Sequence, residues 1–272
     1  MVGKLKQLFK RTFPGVAFQI YRHRCRQVFE RFAPFQATVK AKLYPAGSPV
    51  KVLSGPFAGM LYVDEVVWGC ITPKWLGTYE LELHPVVAEI ARQGYQTIID
   101  VGSAEGYYAV GMARLLPHAM VKAFDTERLG RMQLGRLSAL NGTTARIAIG
   151  ERFVPTASPD PSGGNTLLIS DIEGFEQPLL DPLRHPVLLC YDLLVEVHGF
   201  AGFSAAEVLA QLRNRFTGSH QIREIRERRR SVDDCPPIAA LPLGRDVALQ
   251  AMDEGRTEPQ SWLWMRRNST AA

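Results

Sequence analysis

Between residues 97 and 216, short apolar runs alternate with segments of helical periodicity. The runs at 97–101, 120–124, 145–149, 166–170 and 193–197 are rich in branched aliphatic side chains, and turn-forming or polar residues bound them, which predicts strands. Between them the spacing predicts helices over 106–116 and 127–140, with a short one from residue 175 and another over 203–216. Asn141-Gly142 stops the second of these. A lead-in helix over 84–92 has Pro85 in its first turn and Gly94 beyond its end. Two last strands, 221–225 and 261–265, are expected to pair as a hairpin. The polar, proline-containing stretch 226–260 reads as an insertion loop with little structure of its own. Alternating strands and helices predict an α/β fold: a mostly parallel, seven-stranded sheet with helices on both faces.

Ahead of this core the pattern differs. The first ~45 residues read as helical and broken at Pro14, Pro34 and Pro45, and 50–71 as one or two hairpins around Gly55-Pro56, Gly59 and Gly69. The expected division is a basic helical extension over 1–48, a hairpin and lead-in helix over 49–95, and the main domain over 96–272.

The first strand carries the most chemistry. Ile98-Ile99-Asp100-Val101-Gly102-Ser103-Ala104-Glu105-Gly106-Tyr107-Tyr108 is a strand, a small-residue turn and a helix start, the opening unit of a nucleotide-binding sheet. Strand two ends at Asp125, where such folds hold a ribose hydroxyl. A dinucleotide turn needs G-x-G-x-x-G so that backbone can close on a diphosphate. Ala104 and Tyr107 stand where the second and third glycines belong, which argues against NAD and FAD. No G-x-x-x-x-G-K-[ST] occurs, so a Walker-type ATP site has no support.

Composition narrows the setting. The formal net charge is +5, yet residues 1–42 hold ten Lys and Arg against the single acid Glu30. Within this arm Leu5, Leu8, Phe9 and Phe13 fall at helical spacing with lysines opposite. Such a segment suits peripheral contact with an anionic membrane, although packing of the apolar stripe on the domain is the commoner use. No nucleic-acid module is present, and no apolar run approaches the ~20 residues that span a bilayer. A basic start without an apolar core after it argues against a signal peptide. Cys25, Cys70, Cys190 and Cys235 are scattered with no C-x-x-C, which reads as reduced thiols in a cytoplasmic protein.

A second constellation, Ser170-Asp171-Ile172-Glu173-Gly174-Phe175-Glu176, closes strand four, and Leu194-Val195-Glu196-Val197-His198 closes strand five. Together with Asp100-x-Gly102-x-Ala104-x-Gly106 and Gly106-Tyr107-Tyr108, these segments resemble the signature of the FkbM-type class I S-adenosylmethionine-dependent methyltransferases. The resemblance covers about residues 96–199, with its four pieces in order and in register. Ala104-Glu105 departs from the family's usual Asn and apolar residue. The resemblance implies a Rossmann-like methyltransferase fold and methyl transfer from S-adenosylmethionine to a hydroxyl of a saccharide or small natural product. It places Asp100, Gly102, Ser103, Ala104, Gly106 and Tyr107 around the cofactor, with Asp125 on the ribose. Asp171 would lie beside the transferred methyl, together with His198 and Glu196.

Each of these residues also has a plainer use. Asp171 suits a helix N-cap. Glu173 and Glu176 suit a helix dipole, and for Glu176 that reading is preferred. Glu196 and His198 alternate on one strand and share a face, where His198 could take a proton from a substrate hydroxyl near neutral pH. Tyr79-Glu80 either closes over the cofactor or leads into the next helix. If Asp171, Glu173, Glu196 and His198 converge, they also suit a divalent metal, which spacing alone leaves open. The competing function is an inactive binding or scaffold protein on the same fold.

Overall fold

The computed structural model describes Val16 and residues 33–64, 69–155, 165–234, 243–256 and 258–268. The stripe Leu5–Phe13 lies outside the described residues. A helix, α1, runs over 33–43, with Pro34 in its first turn and Pro45 just past its end. Its Val39 and Leu43 are buried in the core.

Seven strands form one sheet: β1 (Thr97–Val101), β2 (Met120–Phe124), β3 (Ile147–Gly150), β4 (Thr166–Ser170), β5 (Asp192–Glu196), β6 (His220–Arg226) and β7 (Ser261–Arg267). Their order is β3-β2-β1-β4-β5-β7-β6. The first five are mutually parallel, and β7 runs antiparallel between β5 and β6. This is the mostly parallel, Rossmann-like sheet that the alternation of elements predicts. β1, β4 and β5 are buried on both faces, which is why they read as apolar runs broken only by Asp100 and by polar residues at their ends. Further helices are α2 (Ile71–Leu76), α3 (His84–Gln93), α4 (Tyr107–Leu115), α5 (Arg128–Leu140), α6 (Glu176–Leu179), α7 (Ala205–Phe216) and α8 (Arg245–Ala251). Helices α3, α4 and α5 pack with Ile98 and Val121 on one side, and α7 packs with Ile99, Leu168 and Val195 on the other.

Three local expectations change. Thr144–Arg146 is a 3-10 turn, so β3 begins two residues later than its apolar pattern suggests. Ile71–Leu76 is a helix, while the hairpin ahead of it is a short antiparallel contact with Val52 N–H on Met60 O at 2.8 Å and Tyr62 N–H on Val50 O at 2.9 Å. The connection from β6 to β7 is not a bare loop. It contains α8, whose Ala248 and Ala251 are buried, and its two limbs carry Arg230 and Arg256 into the interior. Alanines with a single turn or two of periodicity give too weak an apolar stripe to mark that helix in a polar segment.

The sheet order reverses between β1 and β4, the place where open α/β sheets form a crevice beyond their carboxyl ends. Register brings those ends level, with Val101 opposite both Phe124 and Ser170. The ladder continues past the strands: Gly102 N–H bonds Phe124 O at 2.8 Å, and Asp171 N–H bonds Val101 O at 3.0 Å. The residues that follow β1, β2 and β4 therefore meet at one edge.

Candidate active site

The turn after β1 is built for close backbone approach. Gly102, Ala104 and Gly106 have φ of +87°, +46° and +99°. A Cβ on Gly102 would lie 1.7 Å from the Asp171 carbonyl oxygen, and one on Gly106 would lie 2.3 Å from Leu134 Cδ1. Only glycine fits either place. Ala104 holds a left-handed conformation at a cost of order 1 kcal/mol. Asp125 supports it: Oδ2 accepts the Ala104 N–H at 2.7 Å and Oδ1 accepts the Glu127 N–H at 2.7 Å. Burial raises the Asp125 carboxyl above its ordinary range, against these hydrogen bonds. Asp100 is 3 % exposed and accepts from the Ala109 N–H in the first turn of α4, so it shapes the turn from beneath. Burial, with the charge of Asp125, pushes its carboxyl up to about 7.

Several buried polar atoms lack partners, three of them on this turn and the helix start that follows it. Among the described residues Ser103 Oγ, Glu105 Oε2, Tyr107 OH, Thr78 Oγ1 and Ser170 Oγ are buried and make no hydrogen bond. Each such atom costs about 1–3 kcal/mol unless something bonds it. Glu105 Oε1 is satisfied by Lys74 Nζ at 2.5 Å and Tyr62 OH at 2.6 Å. Lys74 also lies 4.8 Å from the centre of the Tyr79 ring. Tyr107 is a packing residue: Phe57, Tyr62, Tyr79 and Tyr108 meet its ring edge to face.

The second constellation converges as well. Asp171 and Glu173 follow β4, Glu196 ends β5 and His198 lies two residues beyond. His198 Nε2 is 3.7 Å from Glu173 Oε2 and 3.9 Å from both Asp171 Oδ1 and Glu196 Oε1. Glu176 stands in the first turn of α6, as expected of an acid there. It is fully buried, and its oxygens accept from the Ile172 and Gly174 N–H groups at 2.9 and 3.0 Å. It also reaches His198 Nδ1 at 3.2 Å. Burial opposes charge on His198, but the hydrogen bond to Glu176 and the charges of Glu196, Glu176 and Asp171 outweigh it and hold the imidazole well above its ordinary range. Burial and the nearby Glu196 hold Asp171 well above the carboxylate range.

Two participants, Glu80 and Arg256, lie apart in the sequence. Glu80 is fully buried with φ of +47°. Burial and Glu196 push it up to about 8. Tyr108 OH donates to its Oε2, and Arg256 donates to Oε1 at 3.1 Å. Arg256 also bonds Glu196 and, at 2.9 Å, Glu254. Arg230 bonds Glu82 at 2.6 Å and Glu254. Tyr79-Glu80 carried a sequence signal; Arg256 had none, since nothing local marks a cation whose partners are 60 and 176 residues away. Glu151, near the end of β3, pairs loosely with Arg131 at 3.9 Å and stays a surface charge.

No protein-family model matches the chain, and no curated protein matches it. Solved structures similar to it include the O-methyltransferase TomG from Streptomyces achromogenes, involved in tomaymycin synthesis and solved in complex with SAM. That pair shares 13 % identity over 70 % of this chain and 80 % of that one, with a TM-score of 0.46. The C-terminal domain of precorrin-6Y C5,15-methyltransferase from Rhodobacter capsulatus is 15 % identical over 68 % and 87 %, with a TM-score of 0.43. The ribosomal protein L11 methylase from Lactobacillus delbrueckii subsp. bulgaricus is 18 % identical over 71 % and 79 %, with a TM-score of 0.42.

Proposed function

We propose that this chain is an S-adenosylmethionine-dependent methyltransferase of the FkbM type that acts on a hydroxyl oxygen of a small molecule or saccharide. One observation carries the reading. At a single sheet edge, a glycine turn rimmed by unpartnered buried polar atoms meets a carboxylate–histidine cluster. The unpartnered atoms fit a compact, polar, zwitterionic group with a ribose, and the close contacts of Gly102 with Asp171 and of Gly106 with Leu134 fix the turn that presents them.

When bound, S-adenosylmethionine supplies a methyl group already activated by a sulfonium charge. The chain's work is then to align an acceptor and remove its proton. Gly102, Ser103, Ala104, Gly106 and Tyr107 would form the cofactor cradle, with Asp125 on the ribose and Asp100 bracing the turn. Asp171, Glu196 and His198 would orient the acceptor hydroxyl. Glu173, 42 % exposed in its side chain, is the carboxylate best placed to receive the hydroxyl proton from the crevice. The basic arm adds a proposed contact with an anionic membrane; among the described residues no helix is long and apolar enough to cross one.

Calorimetry with S-adenosylmethionine tests the reading. Heat from the native chain and none from Asp125→Ala is expected, followed by labelled methyl transfer in an acceptor screen. An absence of heat from the native chain would defeat the proposal, and binding without transfer to any acceptor would favour a scaffold.

A further inference from the structure

His198 is anchored at one ring nitrogen and surrounded at the other. Its Nδ1 is held by Glu176, itself fixed by two backbone amides. Its Nε2 faces Glu173 Oε2, Asp171 Oδ1 and Glu196 Oε1, all between 3.7 and 3.9 Å. None of these separations is a hydrogen bond, although Glu196 Oε1 also takes the Arg256 guanidinium. Metal-ligating imidazoles commonly have their other ring nitrogen held by a carboxylate, and Glu176 holds His198 in that way.

Two further observations point the same way. The ligand atoms of Asp171, Glu196 and His198 lie within 4.8 Å of one another. At the roughly 2.0–2.1 Å of Mg²⁺ two ligand atoms lie at most about 4.2 Å apart, and His198 Nε2 is within that reach of Asp171 Oδ1 and Glu196 Oε1, both at 3.9 Å. Asp171 Oδ1, moreover, is buried and makes no hydrogen bond among the described residues.

We propose that Asp171, Glu196 and His198 bind a hard divalent cation of the Mg²⁺ or Mn²⁺ class, with Glu176 and Arg256 orienting two of its ligands. Two carboxylates to one imidazole suit that class better than sites richer in nitrogen or sulfur, which favour zinc or copper. Three protein atoms leave positions of an octahedral shell for water or for the acceptor hydroxyl. A coordinated hydroxyl is more acidic and gives its proton more readily to Glu173. That last consequence rests on the methyl-transfer reading; binding of the ion does not.

The test is titration of the full chain with Mn²⁺, following the electron paramagnetic resonance signal of the free ion. The native chain and Glu151→Gln, a surface change, are expected to take up one ion per chain. Asp171→Asn and His198→Gln should bind about tenfold or more weakly, with Mn²⁺ raising the melting temperature of the native chain alone. A readout independent of variants is selective paramagnetic broadening of the His198 ring protons in the native chain. An unchanged Mn²⁺ signal at millimolar ion, with and without S-adenosylmethionine, overturns the site. So does uptake that leaves the His198 protons sharp. Heat from S-adenosylmethionine without Mn²⁺ uptake removes the ion and keeps the cofactor reading; Mn²⁺ uptake without that heat does the reverse.

Discussion

The Arg256 guanidinium donates to the buried Glu80 at 3.1 Å across 176 residues of sequence, and the same guanidinium bonds Glu196 and Glu254. One cation from the β6–β7 connection thus serves acids from three separate segments. Removing it strips the buried Glu196 of its cation, while Glu80 keeps Tyr108 and Glu254 keeps Arg230; losing one side of a buried pair costs about 3–5 kcal/mol. Arg256→Ala should lose stability on that scale in urea unfolding. Arg256→Lys should recover only part, because an ammonium cannot fork across several carboxylates. A loss under about 1 kcal/mol in Arg256→Ala would show that the pair matters little.

The Gly102 turn gives a sharper steric prediction. A methyl group there would sit 1.7 Å from the Asp171 carbonyl oxygen, on a backbone with φ of +87°. Gly102→Ala should destabilise the fold by about 2 kcal/mol or more and abolish the calorimetric signal for S-adenosylmethionine. Gly142→Ala, also at positive φ but with nothing within 4 Å, should cost only the smaller left-handed penalty of about 1 kcal/mol and keep that signal.

Asp100 sets a pH dependence. Folded, its carboxyl titrates near 7; unfolded, near 3.8. Its neutral form favours the fold fully below about pH 4. As pH rises the unfolded chain loses that proton first, so stability falls through this window and levels off above about pH 7. The full loss corresponds to about 4 kcal/mol. Asp100→Asn has no proton to lose and keeps an oxygen for the Ala109 amide. Its stability relative to the native chain should therefore rise from pH 4 to pH 8, measured by urea unfolding at each pH. Parallel profiles for the two chains would refute the assignment.

Lys74 and Glu105 are a buried pair beside the turn after β1. Lys74→Met alone leaves Glu105 unpaired and should cost about 3–5 kcal/mol, while Lys74→Met with Glu105→Gln should recover most of that. A double variant as unstable as the single one would mean that packing, not charge, decides the site.

Much of this edge is legible in the chain because it is local. β1, β2 and β4 are mostly apolar runs, interrupted by Asp100 in β1 and Lys122 in β2, and their ends carry the turn, Asp125 and Asp171 within a few positions. The edges of the sheet read less well. β3 exposes Ala148 and Ile149 on a surface, so its pattern drifts into the preceding turn. Glu176 reads as an ordinary acid at a helix start, and only folding shows that it turns inward to bind the Ile172 and Gly174 amides. Arg256 could not be read at all, since its meaning lies in Glu80 and Glu196 and not in its neighbours.

The long reach of Arg256 orders events during synthesis. The acids at 80, 82 and 196 emerge from the ribosome before the residues that neutralise them, and β7 must then slide between β5 and β6, which are already made. Until Arg230 and Arg256 arrive, burying those acids is unfavourable. The half-made chain is therefore kept from closing its crevice early, and the last inserted strand brings the final sheet contacts and the missing positive charge in one step.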